Sequence, residues 1–303
     1  ALLKRVGWKK FVKLKRPQED LGSLAFQHPA QRLLRHYKHR GAPVKFSSLP
    51  WSTERVQHAM DRGAHRSCHE YLDFLQEEFI DMIRKDQWVI LPYSVVKNMK
   101  GLRLSPPGYV PQRDRRPRWI CDYSFYEVNQ ETLPIAAMES MQFGHALDRI
   151  LRHILISNPD HGPTYLMKVD LSDGFYRMGL APDDIPKLGV VFPTHPGEEP
   201  LVAFPLVLPM GWKNSPPVFS TATETIADLA NHVCDDRLQL PTLHPLSTLA
   251  SMQDTSPSDV PATPAHYPVR DPSLTFLREV HSSIDVFVDD FIGIAQGYRH
   301  RHY

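Results

Sequence analysis

Two adjacent aspartates, Asp289 and Asp290, lie between two mainly apolar runs, residues 284–288 and 291–295. Apolar segments joined by a short polar pair predict a β-hairpin with both acids at its tip. Like charges at close range repel, so two carboxylates are costly to place together unless a cation neutralises them. Mg²⁺ prefers oxygen ligands and commonly takes one or two carboxylates together with substrate phosphates. The pair therefore indicates a metal site that handles phosphate; the alternative is an ordinary turn with two solvated acids.

A second acidic position supports the metal interpretation. Residues 165–170 have the pattern of a strand that ends in Asp170, and residues 171–176 continue as a turn followed by aromatic residues. If this strand and the hairpin are neighbours in one sheet, three carboxylates converge. Three carboxylates are a ligand set for two metal ions roughly 3.5–4 Å apart, which stabilise the attacking and leaving oxygens of an in-line phosphoryl displacement.

Four segments of the chain, in order, resemble the reverse transcriptase domain of retroelements, the RNA-directed DNA polymerases. The resemblance extends over residues 65–297; one such segment alone is a weak signal, whereas four in this order are a specific one. The segments are Arg118-Trp119-Ile120-Cys121-Asp122-Tyr123-Ser124 followed by Val128-Asn129 (fingers), Lys168-Val169-Asp170-Leu171-Ser172-Asp173-Gly174-Phe175-Tyr176 (first catalytic segment), Phe204-Pro205-Leu206-Val207-Leu208-Pro209-Met210-Gly211-Trp212-Lys213-Asn214-Ser215-Pro216 (template and nucleotide positioning) and Phe287-Val288-Asp289-Asp290 (aromatic-x-Asp-Asp).

The resemblance implies an α+β fold with polymerase right-hand architecture: fingers, and a palm whose antiparallel sheet is of the split βαβ type. It divides the chain into a basic N-terminal extension (1–60), the fingers and the start of the palm (61–165), and the palm with the catalytic aspartates (166–303). The palm contains a Pro-, Ser- and Thr-rich insertion at 235–273, which is tolerable because loop-closure entropy grows slowly with length. Since the chain stops soon after Asp290, we expect no thumb and a fragment of a longer polyprotein.

The activity that the resemblance implies is nucleotidyl transfer, in which a primer 3′-hydroxyl attacks the α-phosphate of an incoming nucleotide and pyrophosphate leaves. Such enzymes act by positioning and electrostatics rather than by covalent catalysis. By resemblance, Asp170 and Asp289 bridge two Mg²⁺ ions, Asp290 supports them, and the backbone of Leu171 adds a ligand; Mn²⁺ is the alternative ion. The implied partners are an RNA or DNA template with its primer, and deoxynucleoside triphosphates.

The same resemblance implies how the nucleotide is bound. Asp173 and Gly174 match the turn whose backbone N–H groups hold the triphosphate, although Asp173 also suits a simple turn. Phe175 matches the aromatic under the sugar, where a bulky ring excludes a 2′-hydroxyl; the alternative is a core aromatic. Arg118 matches the arginine that grips the triphosphate, because a guanidinium gives bidentate contacts to phosphate. Three further arginines are alternatives for sharing this contact, namely Arg113, Arg115 and Arg116.

The positioning segment departs from the family pattern at Met210, where many relatives carry glutamine beside the nucleotide. Methionine keeps the volume but lacks the amide hydrogen bonds, so nucleotide handling is expected to differ here. Gly211 allows a close approach of the backbone to a nucleotide. Trp212 and Lys213 are open between a structural role and a contact with the template strand.

Composition limits the setting of this chemistry. The formal net charge is only +1, but basic residues cluster in three places, residues 4–16, 113–118 and 299–302. Such clusters suit a phosphate backbone or a solvated surface, and the first also allows a short packed helix. Three distant cysteines favour a reducing, intracellular compartment, with nucleus and cytoplasm undecided. No apolar run approaches the ~20 residues of a membrane span, and the sequence leaves the oligomeric state open.

Hydrophobic periodicity, together with the positions of proline, glycine and capping residues, predicts the local structure around these segments. We expect a helix over 67–85 with a Ser67–Glu70 capping box, and a second helix between Ala136 and Ile156. A third helix is expected over 216–233, with proline in its first turn. Strands are expected at 89–92, 119–121, 165–170, 188–192 and 201–208.

Two other functions compete with a working reverse transcriptase. A truncated or decayed retroelement copy would keep the fold and at most bind nucleic acid; the long insertion favours it, and the intact Asp170, Asp289 and Asp290 oppose it. A polymerase that copies RNA into RNA is disfavoured by Phe175, since ribonucleotide users need space at that position.

Overall fold

The computed structural model of the protein describes residues 2–16, 27–135, 142–234 and 282–297. Several sequence-based expectations lie outside the described residues: the insertion at 235–273, the basic tail at 299–302, and the start of the helix expected from Ala136. The side chains of Arg115 and Arg116 also lie outside the described part.

The described residues form an α+β protein with several helices and small, largely antiparallel sheets. The helices are α1 (Leu2–Val6), α2 (Trp8–Lys15), α3 (Gln31–Arg40), α4 (Thr53–Arg62), α5 (Arg66–Glu70), α6 (Leu72–Arg84), α7 (Tyr93–Val96), α8 (Val128–Glu131), α9 (Ala146–Ile156) and α10 (Ser215–Cys234). The strands are β1 (Trp88–Pro92), β2 (Leu104–Ser105), β3 (Pro107–Gln112), β4 (Arg115–Cys121), β5 (Thr164–Asp170), β6 (Gly189–Phe192), β7 (Leu201–Pro205), β8 (Ser282–Phe287) and β9 (Asp290–Gln296). Short 3₁₀ turns occur at Gln142–His145, Pro159–His161, Gly174–Arg177 and Ile185–Leu188.

The chain forms two compact units, each assembled from segments that are distant in sequence. The first unit comprises Ala1–Ser23, His36–Leu133 and Phe175–Ser215. The second comprises Leu24–Arg35, Pro134–Gly174 and Pro216–Tyr303.

The first unit contains a four-stranded sheet in the order β1-β7-β6-β2 and a separate β3–β4 hairpin. Strands β1 and β6 are antiparallel to β7, and β2 is parallel to β6. Aromatic rings pack edge to face beside the sheet, with centroids 4.8 Å apart for Phe79 and Trp119 and 5.1 Å apart for Trp88 and Trp119. Such pairs stabilise a core beyond the area they bury.

The helix expected over 67–85 is wrong as one continuous element. Helix α5 ends at Glu70 and α6 begins at Leu72, with the backbone of Tyr71 between them at φ −123°. The expected capping box is also wrong, because the Ser67 hydroxyl accepts a hydrogen bond from the Tyr109 backbone N–H (3.0 Å). A tertiary hydrogen bond to β3 has taken the place of the local cap.

Part of the basic N-terminal segment forms a packed helix, α2, which confirms one of the alternatives for residues 4–16. Helix α2 buries Phe11 and Val12. The Arg16 guanidinium donates to the backbone carbonyls of Leu180 (2.8 Å) and Leu206 (2.6 Å), and burial lowers its pKa. At least this cation therefore binds the protein's own backbone.

The second unit contains a three-stranded antiparallel sheet in the order β5-β9-β8. The strand expected at 165–170 is confirmed as β5, and the hairpin around the aspartate pair is confirmed as β8 and β9. Helix α9 packs on β8 and ends at Ile156, as predicted.

The remaining predicted elements are present with shifted ends. Strands β1 and β4 begin before their predicted starts, β6 begins one residue later, and β7 ends at Pro205 rather than at residue 208. Helix α10 extends the predicted 216–233 by one residue at each end. In the part of the chain that the structure describes, no helix is both long and apolar enough to cross a membrane.

Candidate metal centre

The register of the second sheet brings the two acidic segments together. Strand β5 runs antiparallel to β9, and its last residue, Asp170, pairs with Asp290, the first residue of β9. Across the hairpin Phe287 pairs with Asp290, so that Val288 and Asp289 form a two-residue loop. The acids predicted to converge therefore lie at one end of the sheet.

Backbone geometry at the hairpin tip fixes Asp289. Val288 has φ +60°, a left-handed conformation that is unusual for a β-branched residue. Such strain persists only where surrounding contacts impose it. One of these contacts is a hydrogen bond from the Leu171 N–H to the Asp289 carbonyl (3.1 Å). The backbone of Leu171 thus lies beside the cluster; its part as a metal ligand stays a prediction.

The three carboxylates form a compact oxygen cluster. One carboxylate oxygen from each of Asp170, Asp289 and Asp290 can be chosen so that all three lie within 4.8 Å of one another. Asp170 is exposed, and the other two are half-buried. Three anions at this separation repel one another, and hard oxygen donors suit a hard cation such as Mg²⁺, Ca²⁺ or Mn²⁺. The cluster could hold a metal ion.

A lysine that the sequence analysis did not assign to the site contacts the cluster. Lys168 Nζ lies 2.8 Å from Asp290 Oδ2. This hydrogen bond, together with the charges of Asp290, Asp170 and Asp289, raises the pKa of Lys168 against a smaller opposing effect of desolvation. The signal was present in the sequence, because side chains two apart in a strand share a face and Lys168 is two residues from Asp170.

The turn predicted to hold phosphate lies beside the hairpin tip. Asp173 has φ +57°, a left-handed conformation of the kind found in backbone nests that bind anions. A Cβ added to Gly174 would lie 2.9 Å from Phe219 Cζ and 3.4 Å from Asp289 Cβ. Only glycine fits here without displacing a neighbour, so Gly174 has a packing role that its predicted backbone role did not include.

Charged and amide side chains hold the strand that leads to the aspartate pair. Arg149 of α9 binds Asp285 of β8 through Nε–Oδ2 and Nη2–Oδ1 hydrogen bonds of 2.7 Å each. The Asn231 side chain of α10 accepts from the Ile284 N–H and donates to the Ile284 carbonyl, also at 2.7 Å each. These contacts orient β8 from the helix side, and none of them was predicted.

A buried acid lies near this ion pair. Burial raises the pKa of Glu224 to about 8; the charge of Arg149 opposes the rise, and those of Asp285 and Asp228 add to it. Among the described residues, its Oε1 atom has no hydrogen-bond partner. The raised pKa favours the protonated, uncharged form of Glu224 at neutral pH.

The other predicted nucleotide-binding residues belong to the first unit. Arg118 is an exposed residue of β4, Phe175 is half-buried, and Met210 is exposed. The backbone of Gly211 approaches another part of the protein closely. Gly211 has φ +89°, and an added Cβ would lie 2.7 Å from the Cys121 carbonyl oxygen. The nucleotide contacts of these residues stay predictions.

Asn129 holds the backbone of residues 211–213 in place. Its amide donates to the Gly211 carbonyl (2.9 Å) and accepts from the Lys213 N–H (2.9 Å). Trp212 is buried, and its indole N–H donates to the Thr132 hydroxyl (3.3 Å), which favours the structural role for Trp212. Lys213 is exposed.

Comparison of the chain with models of known protein families and with curated proteins gives no match.

Proposed function

We propose that this chain is the fingers and palm of a reverse transcriptase, an RNA-directed DNA polymerase that adds deoxynucleotides to a primer 3′-hydroxyl. The observation that carries the proposal is the convergence of Asp170, Asp289 and Asp290 within 4.8 Å at one end of the β5-β9-β8 sheet. The two acidic segments are separated by more than a hundred residues in sequence, so their meeting is a property of the fold.

Acidic metal sites catalyse several kinds of reaction, and the four ordered sequence segments favour nucleotidyl transfer among them. Their order is that of reverse transcriptases, and the aspartates of two of them meet in the second unit. The α+β arrangement with an antiparallel sheet bearing the acids is compatible with a palm. Fold alone does not define an activity, so the proposal depends on the acids.

The proposed roles follow from the chemistry of each group. The carboxylates of Asp170, Asp289 and Asp290 hold divalent cations, and bound Mg²⁺ would supply charge neutralisation at the triphosphate and activation of the primer hydroxyl. The backbone N–H groups around Asp173 and Gly174 orient triphosphate oxygens next to the acids. Arg118, Phe175, Met210 and Gly211 keep the nucleotide-binding roles that the resemblance implies.

Primer extension tests the proposal directly. The chain is incubated with an RNA template, an annealed DNA primer, deoxynucleoside triphosphates and Mg²⁺, and extension is followed on a sequencing gel. Asp289→Asn removes one charge from the cluster at nearly constant volume. Asp148→Asn is the matched control, because Asp148 is an exposed aspartate of the same unit outside the cluster.

Extension by the wild-type chain and by Asp148→Asn, and its loss in Asp289→Asn, would support a metal-dependent reverse transcriptase. A folded wild-type chain that binds primer–template without extending it would favour the inactive-copy alternative. Ribonucleotides incorporated as readily as deoxynucleotides would instead indicate a polymerase that makes RNA.

A further inference from the structure

We propose that Lys168 is a positioning residue that competes with the divalent cation for Asp290 and so sets the metal concentration that the site requires. This inference rests on the proposed function, because it concerns the same acidic cluster. The ammonium group lies 2.8 Å from Asp290 Oδ2, where it acts as a counter-ion to one of the proposed metal ligands.

The position of Lys168 follows from strand geometry. Lys168 and Asp170 are two residues apart in β5 and therefore share one face of the sheet. Asp170 of β5 pairs with Asp290 of β9. Lys168 of β5 pairs with Ile292, which lies two residues after Asp290 in β9. The lysine side chain thus reaches Asp290 diagonally, a distance that long side chains can span between neighbouring strands.

Charge balance explains what this contact does. Three ionised carboxylates and one ammonium group leave a net charge of −2 on the cluster, so the cluster still attracts divalent cations. Within the described parts of the chain, Asp170 and Asp289 have no ion-pair partner, so Lys168 offsets the repulsion only in part. A cation that binds Asp290 must displace the ammonium group or tolerate a positive charge beside it, and either requirement weakens its binding.

A purely structural role for the ion pair is a weaker explanation. Strands β5 and β9 are already joined by a continuous antiparallel register from Thr164 to Asp170. The side chain of Lys168 is 62% exposed and that of Asp290 is 25% exposed. Ion pairs this accessible contribute little to stability, whereas a charge in direct contact with a metal ligand acts on metal affinity.

The test measures metal binding without catalysis. Mn²⁺ is titrated into the full chain, and the free ion is followed by electron paramagnetic resonance in the absence of nucleotide. Lys168→Met and Lys168→Gln remove the charge in two different ways, Lys168→Arg retains it, and Asp289→Asn removes a proposed ligand. Circular dichroism confirms that each variant is folded at the titration temperature.

We expect both neutral variants to bind Mn²⁺ ~5-fold more tightly than the wild type, since a unit positive charge a few ångströms from a divalent ion repels it even in water. Lys168→Arg should stay within about twofold of the wild type. Unchanged or weaker binding in both neutral variants would overturn the inference, because it would mean that the lysine only holds the acids in place.

The same titration separates failure of the inference from failure of the proposed function. If the wild type binds Mn²⁺ and Asp289→Asn does not, the metal centre stands whatever the lysine variants do. If the wild type binds no Mn²⁺, or Asp289→Asn binds it equally well, the metal centre itself is wrong and the role of Lys168 falls with it.

Discussion

The Arg149 guanidinium donates two hydrogen bonds of 2.7 Å each, one to each carboxylate oxygen of Asp285. The Asp285 side chain is only 10% exposed, and Arg149 supplies the counter-charge that this largely buried carboxylate needs. The pair joins α9 to β8, the strand that leads into the aspartate hairpin. It therefore connects the stability of the second unit with the position of the proposed ligands.

Replacing Arg149 by methionine should lower the free energy of unfolding by about 2–4 kcal/mol. Removing one partner of a buried pair leaves the other charge without compensation, which is strongly destabilising. The Arg149 side chain is 33% exposed, so we expect a smaller loss than the roughly 3–5 kcal/mol for breaking a fully buried ion pair. Urea denaturation measures the change, and Arg149→Lys should be intermediate because lysine cannot form the bidentate contact. A loss below about 0.5 kcal/mol in Arg149→Met would mean that solvent replaces the arginine.

Replacing Gly174 by alanine should weaken both folding and metal binding. The new methyl group would lie 2.9 Å from Phe219 Cζ and 3.4 Å from Asp289 Cβ, so that the ring or the hairpin tip must move. Overpacking of this kind costs about 1–3 kcal/mol. Thermal unfolding and Mn²⁺ titration measure the two effects.

Gly144→Ala is the matched control for this substitution, because a Cβ at Gly144 meets no atom within 4 Å. Adding Phe219→Leu to Gly174→Ala should recover part of both losses by removing the ring that the methyl group meets. If Gly174→Ala behaved like Gly144→Ala, the glycine would not be needed for packing.

The buried Glu224 should make stability fall as pH rises from about 4.5 to about 8. Its pKa is raised from 4.5 to about 8 in the folded protein, so in this window the folded protein holds a proton that the unfolded chain has lost. The full effect is roughly 3–5 kcal/mol, because each unit of pKa difference corresponds to 1.36 kcal/mol.

Glu224→Gln should abolish this component and be more stable than the wild type at pH 8. Denaturant titrations at several pH values between 4.5 and 9 measure it, with the exposed Glu77→Gln as the control. Parallel pH profiles for Glu224→Gln and the wild type would show that Glu224 ionises in the folded protein as it does in the unfolded chain.

Local patterns were sufficient to predict the acidic centre. Asp170 ends a strand-like run, and Asp289 and Asp290 interrupt an apolar run. Both turn positions could therefore be identified from the apolar pattern and from the polar residues that end or interrupt it. Their convergence required only that two strands be neighbours. Lys168 could have been added by the same two-residue periodicity.

The supporting contacts could not be predicted in this way. Arg149 and Asp285 are 136 positions apart, and no local pattern relates them. Ser67 has the spacing of a helix cap, yet its hydroxyl binds the backbone of Tyr109 in another element. In both cases tertiary packing determines the partner. A hydrogen bond that is partly shielded from water is stronger than an exposed one, so it can override local propensity.

The side chain of Asn231 should be required to hold β8 in place. Among the described strands β8 is at an edge of its sheet, and the Asn231 amide satisfies both backbone groups of Ile284 at 2.7 Å, as a neighbouring strand would. Asn231→Ala should cost about 1–3 kcal/mol, since each lost hydrogen bond contributes roughly 0.5–1.5 kcal/mol.

Asn231→Asp should be worse than Asn231→Ala at neutral pH and should recover in acid. The aspartate keeps the acceptor for the Ile284 N–H but places a carboxylate where the amide donated to the Ile284 carbonyl. That repulsion raises the pKa of the new carboxyl group in the folded state, so the variant loses stability as pH rises. Urea denaturation at pH 4.5 and pH 7.5 separates the two variants, because Asn231→Ala should lose the same amount relative to the wild type at both pH values. An Asn231→Asp protein as stable as the wild type at pH 7.5 would mean that water, rather than the amide, can satisfy the Ile284 carbonyl.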